Sequence, residues 1–156
     1  MLEIKANIWD FHLQENKWIV IPTNGIVKKD GSAVMGGGLA LDAAERCPDL
    51  PSMLGKRLKQ TDNHIYYFPE YKILTFPTKH HWQDPSDMNL IIRSASELAN
   101  DLRVFRTHGR SIFFYIPRIG CGLGGLKWHN VIEAVRPFLN EPEFIFVSNG
   151  DASGKS

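Results

Sequence analysis

The sequence predicts a three-layer α/β/α domain with a mixed central sheet, one unit over 1–148 followed by a small polar tail over 149–156 that reads as disordered. Three observations lead there. Uninterrupted apolar runs such as Trp18-Ile19-Val20-Ile21 suit strands covered on both faces. Apolar residues at helical spacing separate these runs, so strands and helices alternate along most of the chain. A short connection, Pro69-Glu70-Tyr71-Lys72, joins two apolar runs and predicts one antiparallel hairpin.

In chain order, 2–11 reads as an opening strand carrying Ile4, Ile8 and Trp9 and ending at Asp10. The next strand spans 17–23. Residues 24–38 hold five glycines and form a loop. Leu39, Ala40, Ala43, Ala44 and Cys47 then recur at helical spacing, and Pro48 and Pro51 end that helix before a second one around 52–58. The hairpin strands are 65–68 and 73–76. After Pro85, a long helix is marked by Leu90, Ile91, Ala95, Leu98 and Leu102, with Ser86 or Asp87 able to cap it and Gly109 closing it. A nearly all-apolar strand over 111–116, a helix over 128–139 cut short near Pro137, and a strand over 143–147 complete the order.

Composition narrows the function. Eighteen basic against seventeen acidic residues leave a net charge of +1, which excludes a global pull towards nucleic acid or anionic membrane. Any anion must therefore be held by local geometry. Cys47 and Cys121 lie far apart with no CxxC spacing, no signal peptide is evident, and no apolar run approaches the ~20 residues of a membrane span. The reading is a soluble, cytoplasmic protein.

Two glycine-rich segments, Gly36-Gly37-Gly38 and Gly120-Cys121-Gly122-Leu123-Gly124-Gly125, occupy the same slot, after a buried strand and before a helix. At such junctions loop and first-turn amides point outward unpaired, and the helix dipole adds partial positive charge, so a phosphate is well accommodated. Two loops on neighbouring strand ends would grip a diphosphate from both sides. Each alone also reads as a tight turn. The second satisfies GxGxxG, yet too little chain follows it for a dinucleotide fold, and Pro117-Arg118 separates it from its strand. The ending Gly150-Asp151-Ala152-Ser153-Gly154-Lys155-Ser156 imitates a P-loop but is one residue short and precedes no helix.

Asn24, the run Val34-Met35-Gly36-Gly37-Gly38-Leu39-Ala40 and the run Pro117-Arg118-Ile119-Gly120-Cys121-Gly122-Leu123-Gly124-Gly125-Leu126 resemble the two ligand loops of macro domains, and the element order agrees along nearly the whole chain. Phe76-Pro77-Thr78-Lys79-His80-His81-Trp82 narrows the resemblance to the macro domains of DarG-type antitoxins, which remove ADP-ribose from thymidine in DNA. The terminal ADP-ribose glycohydrolase group, acting on ADP-ribosylated carboxylates, is similar through 117–123 and Lys79.

The resemblance implies roles one residue at a time. Asp10 matches the carboxylate that accepts the adenine amino group, with Phe11 and Phe146 as candidates to stack on the base. Asn24 matches the asparagine on the distal ribose. Gly36, Gly37 and Gly38, with Ile119, Gly120, Cys121, Gly122, Leu123 and Gly124, would supply amides to the pyrophosphate and distal ribose side. Three positions depart from the pattern: Ile21 replaces an asparagine, Trp9 replaces the glycine before the aspartate, and Gly124 stands where the carboxylate-directed enzymes carry a catalytic aspartate.

Lys79 is the expected catalytic residue, with Asn24 beside it. A lysine desolvated among cations is more often a free amine, able to attack an anomeric carbon or move a proton, and Pro77, Trp82, His80 and His81 surround this one in sequence. The adjacent histidines lack a third ligand at zinc spacing, so no metal and no cofactor is expected. The resemblance thus implies an ADP-ribosyl hydrolase acting on ADP-ribosylated DNA or protein, and the chain is expected to be a monomer. A reader module that binds without cleaving, and an ADP-ribose 1″-phosphatase, stay open beside it.

Overall fold

The computed structural model describes residues 2–149, so the expected tail, with its P-loop-like ending, lies outside the described residues except for Asn149. The elements are β1 (Leu2–Lys5), β2 (Lys17–Thr23), α1 (Gly38–Arg46), α2 (Leu50–Thr61), β3 (Tyr66–Phe68), β4 (Ile73–Pro77), α3 (Met88–Thr107), β5 (Phe113–Ile116), α4 (Trp128–Val135) and β6 (Phe144–Ser148). The strands form one sheet in the order β1-β6-β5-β2-β4-β3. Only β3 runs antiparallel, paired with β4 as the expected hairpin.

Alternation along β2 divides the core into two layers. Ile19 and Ile21 pack with Ala43 of α1 and Leu50, Leu54 and Leu58 of α2. Val20 points the other way, into the layer built from Ile91, Ala95 and Leu98 of α3 and Val131 and Val135 of α4. Because both faces are covered, the central strands tolerate no polar stripe, which is why they read as continuous apolar runs.

Most boundaries fall within two residues of expectation, β5 starting at Phe113 rather than 111, and three differences have local reasons. The opening strand stops at Lys5; the Asn7 side chain accepts a hydrogen bond from the Trp9 amide at 3.0 Å and starts a 3-10 helix, Ile8–Phe11, so Asp10 sits in a helical turn rather than at a strand end. The second helix starts at Leu50 because Pro51 falls in its first turn, where the missing N–H costs nothing. The helix expected over 128–139 ends at Val135, two residues before Pro137. Asp87, by contrast, caps α3 as expected, accepting from the amides of Asn89 and Leu90.

What matters for function is that β2 and β5 are parallel neighbours, so the glycine segments that follow them meet at one end of the sheet. The first loop is braced from beneath. Val27 bridges Ala33, and the Ala33 amide donates to the Pro51 carbonyl of α2 at 2.8 Å. Gly55 of α2 lets this approach happen, since a Cβ there would lie 2.0 Å from the Gly31 carbonyl oxygen.

Candidate functional site

The two loops enclose a cleft of about 740 Å³ at the C-terminal ends of the strands. Residues 36–40 form one wall, Gly120, Cys121, Leu123, Gly124 and Gly125 the opposite one, and Asn24, Lys79, Asp84, Ser86 and Arg118 supply its polar groups. The walls nearly touch, because a Cβ on Gly37 would lie 2.9 Å from Leu123 Cδ1.

On the first wall the chain enters α1 through Gly38 at φ +55°, a left-handed conformation open to glycine. No side chain caps that helix, so its first-turn amides are left for a ligand, with the positive end of the dipole behind them. Asn24 holds this wall in shape: its amide donates to the Val34 carbonyl at 3.0 Å and its oxygen accepts from the Ile26 amide at 3.0 Å.

The second wall is less open than its sequence implies. Among the six glycine-loop residues and Ile119, the amides of Ile119, Cys121, Gly124 and Gly125 are spent on the carbonyls of Pro117, Arg118, Cys121 and Gly122. The Ile119 side chain is fully buried in the core rather than in the cleft. Among the described residues, Gly120, Gly122 and Leu123 keep amides without a backbone partner, and these are the donors this wall can offer. Burial pushes the Cys121 thiol up, against a smaller opposing effect of Arg118, so the sulfur stays protonated.

Lys79 enters the cleft from the end of β4. Its Nζ donates to the Trp82 carbonyl at 3.3 Å and to the Leu123 carbonyl at 3.4 Å, bringing an amine against the second loop. The Asn63 side chain donates to the Lys79 carbonyl at 3.0 Å and fixes the backbone there. The expected cationic company is absent: His80 turns to Asp87 at 3.2 Å, and His81 stacks on Trp82 while accepting from the Gln83 amide. Trp82 is itself 49% exposed and shields the amine only through its backbone.

Gly124 has a steric reason to lack a carboxylate. A Cβ there would sit 2.2 Å from Ser86 Oγ, so the serine occupies the space in which an aspartate side chain would begin.

A second cavity, also about 740 Å³, adjoins the first at Gly38, Leu39 and Pro117 and is lined by Ile8, Trp9, Asp42, Arg46 and Asn149 among others. The Arg46 guanidinium lies 4.4 Å from the centre of the Trp9 ring. Asp10, Phe11 and Phe146 are not brought to either cavity. Asp10 is exposed on the 3-10 helix, Phe11 stacks on Tyr115 at 4.2 Å beneath Lys17, and Phe146 is fully buried. Trp9, not these three, lines the second cavity. Asp84, five residues after Lys79, is legible in the sequence as the acid-base candidate beside it, whereas Arg118, Ser86, Asn63 and Trp9 are not legible as parts of this region, because each owes its position to another element.

No protein-family model matches the sequence. The chain is 31% identical over 124 residues to a protein named DNA ADP-ribosyl glycohydrolase from Thermus aquaticus, covering 73% of this chain and 33% of the relative. A protein of the same name from Mycobacterium bovis is 30% identical over 108 residues, 63% of this chain and 29% of that one. The chain thus spans about a third of the length of these relatives. Among solved structures, the macrodomain of Thermus aquaticus DarG superposes with a TM-score of 0.73 at 25% identity, covering 94% of this chain and 95% of that one. The macrodomain of Mycobacterium tuberculosis DarG gives 0.70 at 23% identity, with 94% and 95% covered, which agrees on the fold. Thermosipho africanus DarTG, solved in complex with ADP-ribose, gives 0.67 at 23% identity over 85% of this chain and 38% of that one. With these likenesses added to the sheet order and the paired glycine loops, the chain belongs to the macro domains, and among them to the DarG type.

Proposed function

We propose that this chain binds ADP-ribose across the two adjoining cavities and hydrolyses the glycosidic bond linking its distal ribose to a DNA base. The observation that carries the reading is the Lys79 amine held 3.4 Å from the Leu123 carbonyl, inside a cleft whose walls present unpaired amides. Those amides suit the diphosphate, and Asn24 with Lys79 would flank the distal ribose. Lys79 then either attacks the anomeric carbon, displacing the base, or transfers the proton the departing base requires; water completes the cycle and leaves ADP-ribose with a free anomeric hydroxyl. Asp84, which lines the same cleft, is the carboxylate available for acid-base work in place of the missing one at Gly124. Asp10 and Phe11, off the cavities, would contribute to adenine binding only by moving; Trp9 is better placed.

The names of the curated relatives favour DNA as the modified partner. The half-exposed Trp82 at the rim offers a base a surface to stack on, and exposed Lys28 and Lys29 add local charge that the whole chain lacks. We place the protein in the cytoplasm as a monomer; its two cysteines are unpaired, which suits a reducing compartment. No helix among the described residues is long and apolar enough to cross a membrane. The absence of a carboxylate on the second loop favours one other reading, a module that binds ADP-ribose without cleaving it. Parallel incubation with ADP-ribosylated single-stranded DNA, an ADP-ribosyl-glutamate peptide and ADP-ribose 1″-phosphate separates these. Release of ADP-ribose from the DNA is expected; binding without release from any of the three substrates overturns the hydrolase in favour of the reader.

A further inference from the structure

Ser86 holds a hydroxyl with nothing to bond. The residue is only 7% exposed, it lines the cleft, and its Oγ is buried with no hydrogen-bond partner. Its amide is fully used, donating to the Gly124 carbonyl at 2.9 Å, so residue 86 is tied to the second loop while its side chain is left over. Asp87, not Ser86, caps α3, and the hydroxyl therefore serves no helix end. A buried hydroxyl without a partner costs folding free energy, which makes its presence here something the free protein does not reward.

The surroundings indicate where its partner comes from. Ser86 lies directly under the second glycine loop: Oγ is 2.2 Å from the point where a Gly124 Cβ would stand, and Cβ is 3.7 Å from the equivalent point on Gly120. Gly124, which lines the cleft beside Ser86, carries no side chain to stand over the hydroxyl. The Lys79 Nζ donates to the carbonyl of the adjacent residue, Leu123, at 3.4 Å.

Resting on the ADP-ribose reading, we infer that Ser86 is a positioning residue for the ligand: when the second loop shifts around a bound ADP-ribose, Oγ takes a hydrogen bond from the ribosyl end lodged against Gly124. A neutral hydroxyl thereby occupies the position from which a carboxylate would otherwise project, and it orients the distal ribose towards Lys79 without supplying a charge.

The test is Ser86→Ala, which removes the hydroxyl and keeps the volume of the Cβ. Thermal unfolding of the free protein and calorimetric titration with ADP-ribose are measured together, with kcat and KM on the ADP-ribosylated DNA. The inference predicts opposite signs: the free variant melts at or above the wild-type temperature, while ADP-ribose affinity falls about tenfold, the loss of one hydrogen bond. KM should rise by a comparable factor. A serine with a purely structural role would instead lower the melting temperature and leave affinity untouched, and that result overturns the inference. Equal affinity of wild type and variant also overturns it, while leaving the ADP-ribose reading standing. A folded wild type that binds no ADP-ribose removes both.

Discussion

At the residue scale the site rests on a few contacts whose removal has separable effects. Lys79 Nζ donates to one second-loop carbonyl, that of Leu123, and to the Trp82 carbonyl beside its own strand end, so Lys79→Ala should leave ADP-ribose binding within a few-fold of wild type. Release of ADP-ribose from modified DNA should fall by at least about 10²-fold, the pattern of a group used in the transition state rather than in ground-state binding. Single-turnover kinetics beside a titration checks this; unchanged turnover would take Lys79 out of the mechanism and leave Asp84 as the candidate. Gly124 gives a second prediction. Gly124→Ala places a Cβ 2.2 Å from Ser86 Oγ and 3.1 Å from Ser86 Cβ, so it should destabilise by about 1 to 3 kcal/mol. Ser86→Ala removes the nearer atom, and the double variant should recover much of the loss in denaturant titrations. Independent, additive effects would mean the loop relaxes away from the serine.

At the scale of elements, the first glycine loop is a supported structure rather than a free one. Gly55→Ala would bring a methyl within 2.0 Å of the Gly31 carbonyl, which is backbone and cannot swing aside. The variant should lose about 1 to 3 kcal/mol or more of stability and weaken ADP-ribose binding, although residue 55 never meets the ligand. Unfolding curves that match wild type would show that α2 and the loop are not coupled. The same elements show what a sequence discloses. β2 appears in full at Lys17–Thr23 because burial on both faces leaves an unbroken apolar run, and the paired glycine loops stand out because Gly38, Gly120, Gly122 and Gly125 take left-handed φ and Gly124 packs against Ser86. The 3-10 helix at Ile8–Phe11 was hidden, since its cause is one Asn7 side-chain bond that outcompetes strand pairing, and with it went the placement of Asp10 and Phe11. Likewise no pattern in the sequence announces that Ile119, Cys121 and Gly124 spend their amides inside their own turn, or that Asn63 fixes the Lys79 carbonyl from sixteen residues away.

For the whole molecule, binding and acid act at opposite ends of the sheet. Arg106, at the end of α3, donates to Glu143 at 2.7 and 2.6 Å and to Glu141 at 3.1 Å, next to the start of β6. The Arg106 hydrogen bond holds the Glu143 carboxyl below the usual glutamate range. A depressed carboxylate contributes stability above its unfolded-state value and loses it as pH falls through the folded-state value, so melting temperature should drop below about pH 4. In Arg106→Ala that acid-dependent part of the decline should shrink, and an unchanged pH profile would show that the pair contributes nothing. The cleft, at the other end, is where a ligand adds stability by binding only the folded state.

The central claim is that two glycine walls on neighbouring strand ends form one ADP-ribose site. Gly36 offers the cleanest way to close it, because it lines the cleft, its φ is not in the left-handed region, and a Cβ there meets nothing within 4 Å. Calorimetric titration of ADP-ribose into wild type and Gly36→Val, with melting curves to establish that both are folded, is the most direct measurement. One molecule should bind per wild-type chain, and the valine variant should melt like wild type yet give no binding heat. Full-strength binding to a folded Gly36→Val, or none to the wild type, would contradict the account.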